Sequence, residues 1–400
     1  TFIVLQKQKR NRAKMQKIVI IGAGIASLTA AEALRQNGFD GTITILGEEN
    51  TLPYQRPPLS KAYLTSDELP SPTPIRSPNF FRDNKVEFEQ GGKVIALERS
   101  AKQVVIQGGR KIKYDTLILA TGARPRPIDL PGESAKNVFY LRNLDHSTAL
   151  RNALLAPECE KVAILGAGVI GLEVASAANL QGKQVSVFEA NSRAMCRVAS
   201  PLTSNFVRNR MASAGVMFYF NASVNQILTE GDRVSGIRLS DGTTKPADVV
   251  VIGIGAIPNA ELAQDANLDS DGGIIVDSGM RSSDPDIFAI GDCAKAVNVS
   301  TNTPIRIETI HNAMLQAQIA AAHICGKPSP PASPPRFWSD LNGMKVQCIG
   351  IATGYDRIQR RPTESDNACE FWLFSGDRMI ATETVNLPTR QAKLSKALSG

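Results

Sequence analysis

The sequence predicts an α/β protein built of two nucleotide-binding units followed by a small α+β domain. Three observations predict it. Short apolar runs alternate with helix-like stretches over most of the chain. A strand, a glycine-rich turn and a helix occur in succession twice, first from Lys17 and again from Lys161. A segment dense in proline, Lys327 to Pro335, then ends the alternation, and strand-like runs follow it at 345–351, 369–374 and 378–385.

Composition narrows the class. Four hundred residues suit two or three domains, and 42% hydrophobic with 21% charged residues is ordinary for a globular protein. Most of the formal charge of +7 comes from Lys7, Lys9, Arg10, Arg12 and Lys14, with no acid among residues 1–14. Because a strand begins at Lys17, this stretch is read as a solvated basic extension ahead of a natural start at Met15. Its apolar run, Phe2 to Leu5, precedes the charges and is too short for a signal peptide. No uninterrupted apolar run approaches the ~20 residues of a membrane-spanning helix. The six cysteines, Cys159, Cys196, Cys293, Cys325, Cys348 and Cys369, are scattered without C-x-x-C or zinc-like spacing. Reduced thiols in a cytoplasmic protein with no metal site are expected.

The first unit runs Lys17-Ile-Val-Ile-Ile21, then Gly22-Ala-Gly24-Ile-Ala26-Ser27, then a helix over Leu28 to Arg35. A lone G-x-G-x-x-G is a weak signal, but this one follows a strand, opens a helix and has an acid roughly 20 residues on. Its glycines allow a tight turn and let a pyrophosphate approach the helix N-terminus. Ser27 stands where glycine or alanine is usual and is small enough. Glu48, after the strand Ile43 to Leu46, is placed to accept from ribose hydroxyls. Lys93 to Val105 and Ile112 to Ala120 read as strands, the second running through Ala120, Thr121 and Gly122 into a turn. Pro125, Pro127 and Pro131 mark a crossing between domains.

The second unit repeats the pattern as Lys161-Val-Ala-Ile-Leu165, Gly166-Ala-Gly168-Val169-Ile170-Gly171 and a helix over Leu172 to Leu180. Its acid is Glu189, after Gln184 to Phe188. An acid here accepts from a 2′-hydroxyl and repels a 2′-phosphate, which favours NADH over NADPH, with Arg193 and Arg197 as the opposing charges nearby. The strand Ala247 to Gly255 closes this unit. Two such units imply two dinucleotides.

Ser282 to Asp292 is a strand ending in Gly-Asp. With this element the chain resembles the FAD/NAD-linked reductases of the glutathione-reductase structural class, in which the aspartate, here Asp292, binds the ribityl chain of FAD. Ser282 replaces the usual threonine. Disulfide reductases of that class carry a cysteine pair soon after the first acid. This chain has Pro53-Tyr-Gln-Arg56-Pro57-Pro58-Leu59-Ser60-Lys61 there, and no cysteine before Cys159, so thiolate chemistry at the flavin is not expected.

The phrase Tyr54-x-Arg56-Pro-Pro-Leu-Ser60-Lys61 resembles the ferredoxin reductases of bacterial aromatic-ring dioxygenase and cytochrome P450 systems, and their rubredoxin-reductase relatives. Ala120-Thr-Gly-Ala-Arg124-Pro-Arg126, Tyr140-Leu-Arg142, Gly253-Ile-Gly255-Ala-Ile-Pro258-Asn259, Arg306-Ile-Glu-Thr-Ile310-His311-Asn312 and Phe337-Trp338-Ser339-Asp340 match as well. The resemblance covers nearly the whole chain. It implies FAD contacts at Gly22, Gly24, Ala26, Ser27, Glu48, Arg56, Lys61 and Val94. Further FAD contacts are implied at Ala120, Thr121, Gly122, Arg142, Asp292, Ile310 and Trp338. NAD contacts are implied at Gly166, Gly168, Val169, Ile170, Gly171, Glu173, Glu189 and Gly255. Lys61 and Glu173 match a catalytic lysine–glutamate pair near flavin N5 and the nicotinamide, and Trp338 an aromatic at the flavin edge and the docking face. His311 departs from the apolar or amide residue expected beside the flavin. His146 and His323 are read as surface or satisfied histidines.

The domains implied are an FAD-binding domain over 15–122 and 247–326, an NAD-binding domain over 123–246, and a C-terminal domain over 327–400. The function implied is that of an NADH-dependent ferredoxin reductase. NADH delivers hydride to FAD, and single electrons pass to a [2Fe-2S] ferredoxin feeding an oxygenase of aromatic-compound catabolism. Two alternatives share these motifs: a rubredoxin reductase, and a redox-sensing flavoprotein resembling apoptosis-inducing factor, for which the basic extension gives a foothold. No nucleic-acid or membrane partner is expected, since the basic surplus is confined to that extension.

Overall fold

The computed structural model describes residues 16–298 and 303–399. The basic extension and Met15 lie outside the described residues. The chain divides into two compact units. The first holds the described residues up to Tyr54, Pro74–Gly122 and Pro258–Pro330; the second holds Gln55–Thr73, Ala123–Ile257 and the residues from Pro331 onward.

The first unit is organised by a parallel five-stranded sheet. Lys17–Ile21 is central, with Thr42–Leu46 and Val86–Glu89 to one side and Thr116–Leu119 and Ile287–Ala289 to the other. Ile18, Ile20, Ile43, Ile45, Leu117 and Leu119 are buried, as a parallel sheet covered on both faces requires. The helices Ile25–Gln36 and Ile310–Ile324 pack on each other. Ala30 and Ala31 on one and Ala317, Ala320 and Ala321 on the other are buried, and such small side chains let two helices approach closely.

Two stretches read as single strands are each divided. Lys93 to Val105 becomes the antiparallel pair Val94–Glu98 and Gln103–Ile106, because a helical turn over Arg99–Ala101 and Lys102 at φ 46° reverse the chain. Ile112 to Ala120 divides at Tyr114 and Asp115 into Lys111–Lys113, which pairs with Gln103–Ile106, and Thr116–Leu119 of the main sheet. Asp115 Oδ2 accepts from Lys17 N at 2.8 Å.

The second unit repeats the parallel architecture. Lys161–Leu165 lies between Gln184–Glu189 and Val249–Ile252, with Met217–Phe220 and Val138–Tyr140 at the edges. Val249–Ile252, expected with the FAD-binding domain, pairs in this sheet, and the first compact unit resumes at Pro258. Gln55–Thr73, expected with the FAD-binding domain, packs in this unit: Leu64 O accepts from Gln181 Nε2 at 2.6 Å, and Ser66 O accepts from Arg151 Nη2 at 2.7 Å.

The chain from 327 to 335 has no regular structure. Beyond it is an antiparallel sheet in the order Arg336–Leu341, Met344–Gly350, Arg378–Val385, Cys369–Ser375, Arg357–Arg361, with the helix Gln391–Ser399 packed against it. Along Arg336–Leu341 the side chains alternate: Ser339 and Leu341 are buried, while Trp338 and Asp340 are exposed. Among the described residues no helix is long and apolar enough to cross a membrane.

Candidate functional site

In the first unit the central strand ends in a turn shaped by close backbone approach. Gly22 has φ 107°, and a Cβ there would lie 2.2 Å from Ala120 O. That conformation and that contact both demand glycine. Ala120 belongs to the neighbouring strand's end, so the turn sits where the strand order reverses, the usual ligand position in such sheets. Gly24 then opens the helix Ile25–Gln36 with no side-chain cap, and a Cβ there would meet nothing within 4 Å. An uncapped helix N-terminus facing open space fits a pyrophosphate.

The other residues assigned to the flavin in this unit lie on several of its elements. Ala26 packs near Gly291, whose added Cβ would lie 3.3 Å from Ala26 Cβ. Ser27 is buried, and among the described residues its Oγ has no hydrogen-bond partner. Thr121 Oγ1 donates to Asn259 O at 2.6 Å, Asn259 Nδ2 returns a bond to Thr121 O at 2.9 Å, and Asn259 N donates to Gly122 O at 2.9 Å. Gly291 N donates to Gln316 Oε1 at 2.7 Å, which fixes the short turn bearing Asp292. Ile310 begins the helix Ile310–Ile324 and His311 follows it. Val94 is buried in the unit's core. Glu48 is exposed and pairs with Lys93 at 2.7 Å.

The second turn is built alike. Gly166 has φ 100° and a Cβ there would lie 2.5 Å from Gly253 O. Gly168 opens the helix Val169–Leu180 with no side-chain cap. The third position differs between the units. A Cβ on Gly171 would lie 2.2 Å from Gly166 O, whereas the first unit accommodates Ser27. Gly255 has φ 114° with Arg197 close by. Val169 is partly buried and Ile170 is exposed. Glu189 does more than end its strand. Its Oε2 accepts from Ala167 N at 2.8 Å, and its Oε1 accepts from Asn191 N at 2.8 Å and Asn191 Nδ2 at 2.6 Å. The carboxylate therefore fastens the glycine-rich turn directly. Arg193 is committed to the carbonyls of Ala199, at 2.8 Å, and Cys196, at 3.1 Å.

Also within the second unit, Lys61 and Glu173 come together. Lys61 Nζ donates to Glu173 Oε1 at 2.6 Å, with side-chain exposures of 18% and 3%. Lys61 follows the Pro57–Ser60 turn, and Glu173 projects from the helix that the second glycine-rich turn opens. Ser339 Oγ donates to the same Oε1 at 2.7 Å, and Ser60 Oγ donates to Oε2. Burial of a carboxylate is costly unless it is paired and hydrogen-bonded; three donors meet that requirement here.

Neither Ser60 nor Ser339 has a role assigned from sequence, although both lie in matched phrases. The period-2 alternation of a strand carrying an outward tryptophan was the available signal for Ser339. Arg56 Nη1 donates to Arg142 O at 2.9 Å. Trp338 is 41% exposed.

All six cysteines are free. Burial raises the thiol of Cys293, next to Asp292, above its ordinary range. Its Sγ lies 3.5 Å from Leu119 O and 3.3 Å from Ile290 O, within reach to donate to either. A buried thiol kept protonated is a poor nucleophile.

The family model described as pyridine nucleotide-disulphide oxidoreductase matches residues 16–317, and a reductase C-terminal model matches residues 336–399. The chain is 43% identical over 381 residues to a rubredoxin-NAD(+) reductase of Pseudomonas putida, covering 95% of this chain and 98% of that protein. It superposes with a TM-score of 0.91 and 35% identity on the crystal structure of the covalent putidaredoxin reductase–putidaredoxin complex, over 96% and 93% of the two chains. The ferredoxin reductase for the CYP199A2 system from Rhodopseudomonas palustris gives a TM-score of 0.90 at 39% identity, over 94% and 93%.

Proposed function

Since the chain belongs to the pyridine nucleotide-disulphide oxidoreductase family and is an FAD- and NAD(H)-using oxidoreductase, we propose that it is an NADH-dependent reductase of a [2Fe-2S] ferredoxin. The observation that carries this reading is the Lys61–Glu173 pair at 2.6 Å, in a segment where disulfide-reducing relatives would need thiols. The first cysteine of the chain is Cys159. With no thiol there to take electrons, they leave for an external carrier.

In this reading the Gly22–Gly24 turn and Ala26, Ser27, Glu48, Val94, Asp292 and Ile310 hold FAD. Ala120–Gly122, Arg56, Arg142 and Trp338 complete the flavin contacts. The Gly166–Gly171 turn, Glu189 and Gly255 hold NADH. Bound FAD would supply two-electron uptake from NADH and one-electron release. The chain's own residues orient the partners: Lys61 sets a positive charge beside the reacting centre, Glu173 holds Lys61 in place, and the uncapped helix N-termini bind the diphosphates. Glu189 beside the second turn and an Arg193 committed to backbone carbonyls support NADH over NADPH.

The carrier would feed an oxygenase of aromatic-compound catabolism. Six free cysteines accord with a reducing cytoplasm as its place. The 43% identity to a rubredoxin-NAD(+) reductase favours rubredoxin as the second reading.

The test is NADH-dependent reduction of cytochrome c with and without a [2Fe-2S] ferredoxin, repeated with rubredoxin. Ferredoxin-dependent turnover well above the carrier-free rate supports the first reading. Turnover with rubredoxin alone replaces it with the second.

A further inference from the structure

Glu173, on the helix Val169–Leu180, is held from two segments remote in sequence: Ser60 and Lys61 on the 55–73 segment, and Ser339 on the first strand of the C-terminal sheet. We propose that Ser339, seconded by Ser60, is a positioning residue for Lys61, acting through Glu173. This deepens the function proposed above and rests on the place it gives Lys61.

Among the described residues the two serines have no competing engagement of comparable quality. Ser339 is fully buried and its Oγ donates to Glu173 Oε1 at 2.7 Å. Ser60 is 2% exposed; its other acceptor, Pro57 O, lies at 3.4 Å. A carboxylate accepts through either oxygen, so donors from two separate segments can meet on one group. With Oε2 tied to Ser60 and Oε1 shared by Ser339 and Lys61, rotation of the carboxylate group would break at least two bonds. The oxygen facing Lys61 is thereby fixed, and so is the ammonium.

Ser339 adds what the lysine–glutamate pair alone lacks. It alternates with Trp338 on one strand, Ser339 inward and Trp338 outward. The bond that orients Glu173 therefore also pins the register of the strand presenting Trp338, since a one-residue slip would exchange the two faces. The C-terminal sheet thus contributes a donor to the lysine's support as well as an exposed aromatic.

The experiment compares the chemical reactivity of Lys61 in the FAD-loaded protein, by limited modification with an amine-selective reagent and peptide mass spectrometry, using exposed Lys345 as internal standard. Ser339→Ala should raise Lys61 labelling relative to Lys345 by roughly three- to tenfold, the scale of one lost hydrogen bond. Ser60→Ala should move it the same way. Ser339→Thr, which keeps the hydroxyl, should restore labelling to within about twofold of the parent. In turnover Ser339→Ala should lower kcat and leave the KM for NADH within about twofold.

A Ser339→Ala protein whose Lys61 labels like the parent overturns the proposal. So does a Ser339→Thr protein that labels like Ser339→Ala, because packing and not the hydroxyl would then be responsible. The labelling needs neither NADH nor an acceptor. A parent protein that reduces no iron–sulfur carrier therefore removes the functional reading without touching this result, and the converse holds.

Discussion

Glu383, on the Arg378–Val385 strand, accepts from Ser200 through both backbone and side chain: Oε1 takes Ser200 N at 2.7 Å and Oε2 takes Ser200 Oγ at 2.5 Å. Ser200 is the N-cap of the helix Pro201–Ser213, and Thr203 Oγ1 donates to the same carboxylate. A fully buried acid at a helix N-terminus meets the helix dipole and the unsatisfied N–H groups together, and here it ties the C-terminal sheet to the second parallel domain. Glu383→Ala leaves three buried donors without an acceptor. Urea unfolding should show a loss of about 2–4 kcal/mol. A loss under about 1 kcal/mol would mean that water replaces the carboxylate at little cost.

Gly22→Ala tests the first turn. The added methyl would meet Ala120 O at 2.2 Å in a backbone conformation of φ 107°, and neither backbone can yield without opening the sheet. The variant should purify with FAD occupancy below about a tenth of the parent's, read from its visible absorbance. A fully yellow protein would show that the flavin does not rely on this approach.

Lys61→Ala tests the pair. Removing the cation should slow single-turnover flavin reduction by NADH about tenfold or more, followed by stopped-flow absorbance. It also leaves Glu173, 3% exposed, with only its two serines, so a stability loss of about 1–3 kcal/mol should accompany it. An unchanged reduction rate would remove Lys61 from the chemistry.

Glu189→Gln tests the second turn. The amide keeps the shape but loses the charge, and one of its ends can no longer accept from Ala167 N or Asn191. NADH binding, followed by titration calorimetry, should weaken about tenfold, or ~1.4 kcal/mol. NADPH should gain relative to NADH. Equal affinity for parent and variant would leave the acid as a turn fastener with no part in ribose recognition.

The architecture was legible because strands and glycine-rich turns are local signals. Lys17–Ile21 and Lys161–Leu165 carry the apolar runs of buried parallel strands, and each is followed by a glycine, Gly22 or Gly166, whose positive φ the structure then requires. The pairing of Lys61 with Glu173 came from resemblance and not from spacing, since no local rule links residues so remote in sequence. Ser60 and Ser339 were missed for a related reason. A serine has no sequence signature for the acceptor it meets in space, and Ser339 was overshadowed by its neighbour Trp338. Gln55–Thr73 was misplaced because domain membership depends on packing partners: Leu64 is buried in the second unit's core, which its position in the chain does not disclose. The reversal at Lys102 was missed because Lys102 takes positive φ without being glycine.

Alkaline pH should expose the C-terminal sheet's buried thiols. Burial, reinforced by the charge of Glu383, pushes Cys369 from an ordinary value of 9.0 up to about 12. Cys348 is raised well above its ordinary value by burial, then by Glu383 and Cys369. In the folded state Cys369 keeps its proton through a range in which the unfolded chain has lost it. Folding is therefore opposed progressively as pH rises: the stabilisation is complete below about pH 9 and is lost between pH 9 and about 12. At pH 10.5 the loss attributable to Cys369 should be about 1–2 kcal/mol. Cys369→Ala deletes the titrating group with little change in volume, so its urea midpoint should fall less steeply than the parent's between pH 8.5 and 10.5. Tyr114, in the other unit, is also pushed up to about 12 by burial, then by the charges of Asp284 and Asp286. Its contribution is shared by parent and variant and cancels in the comparison. Parallel pH profiles for the two proteins would show that the Cys369 thiol ionises as readily in the folded sheet as in the unfolded chain.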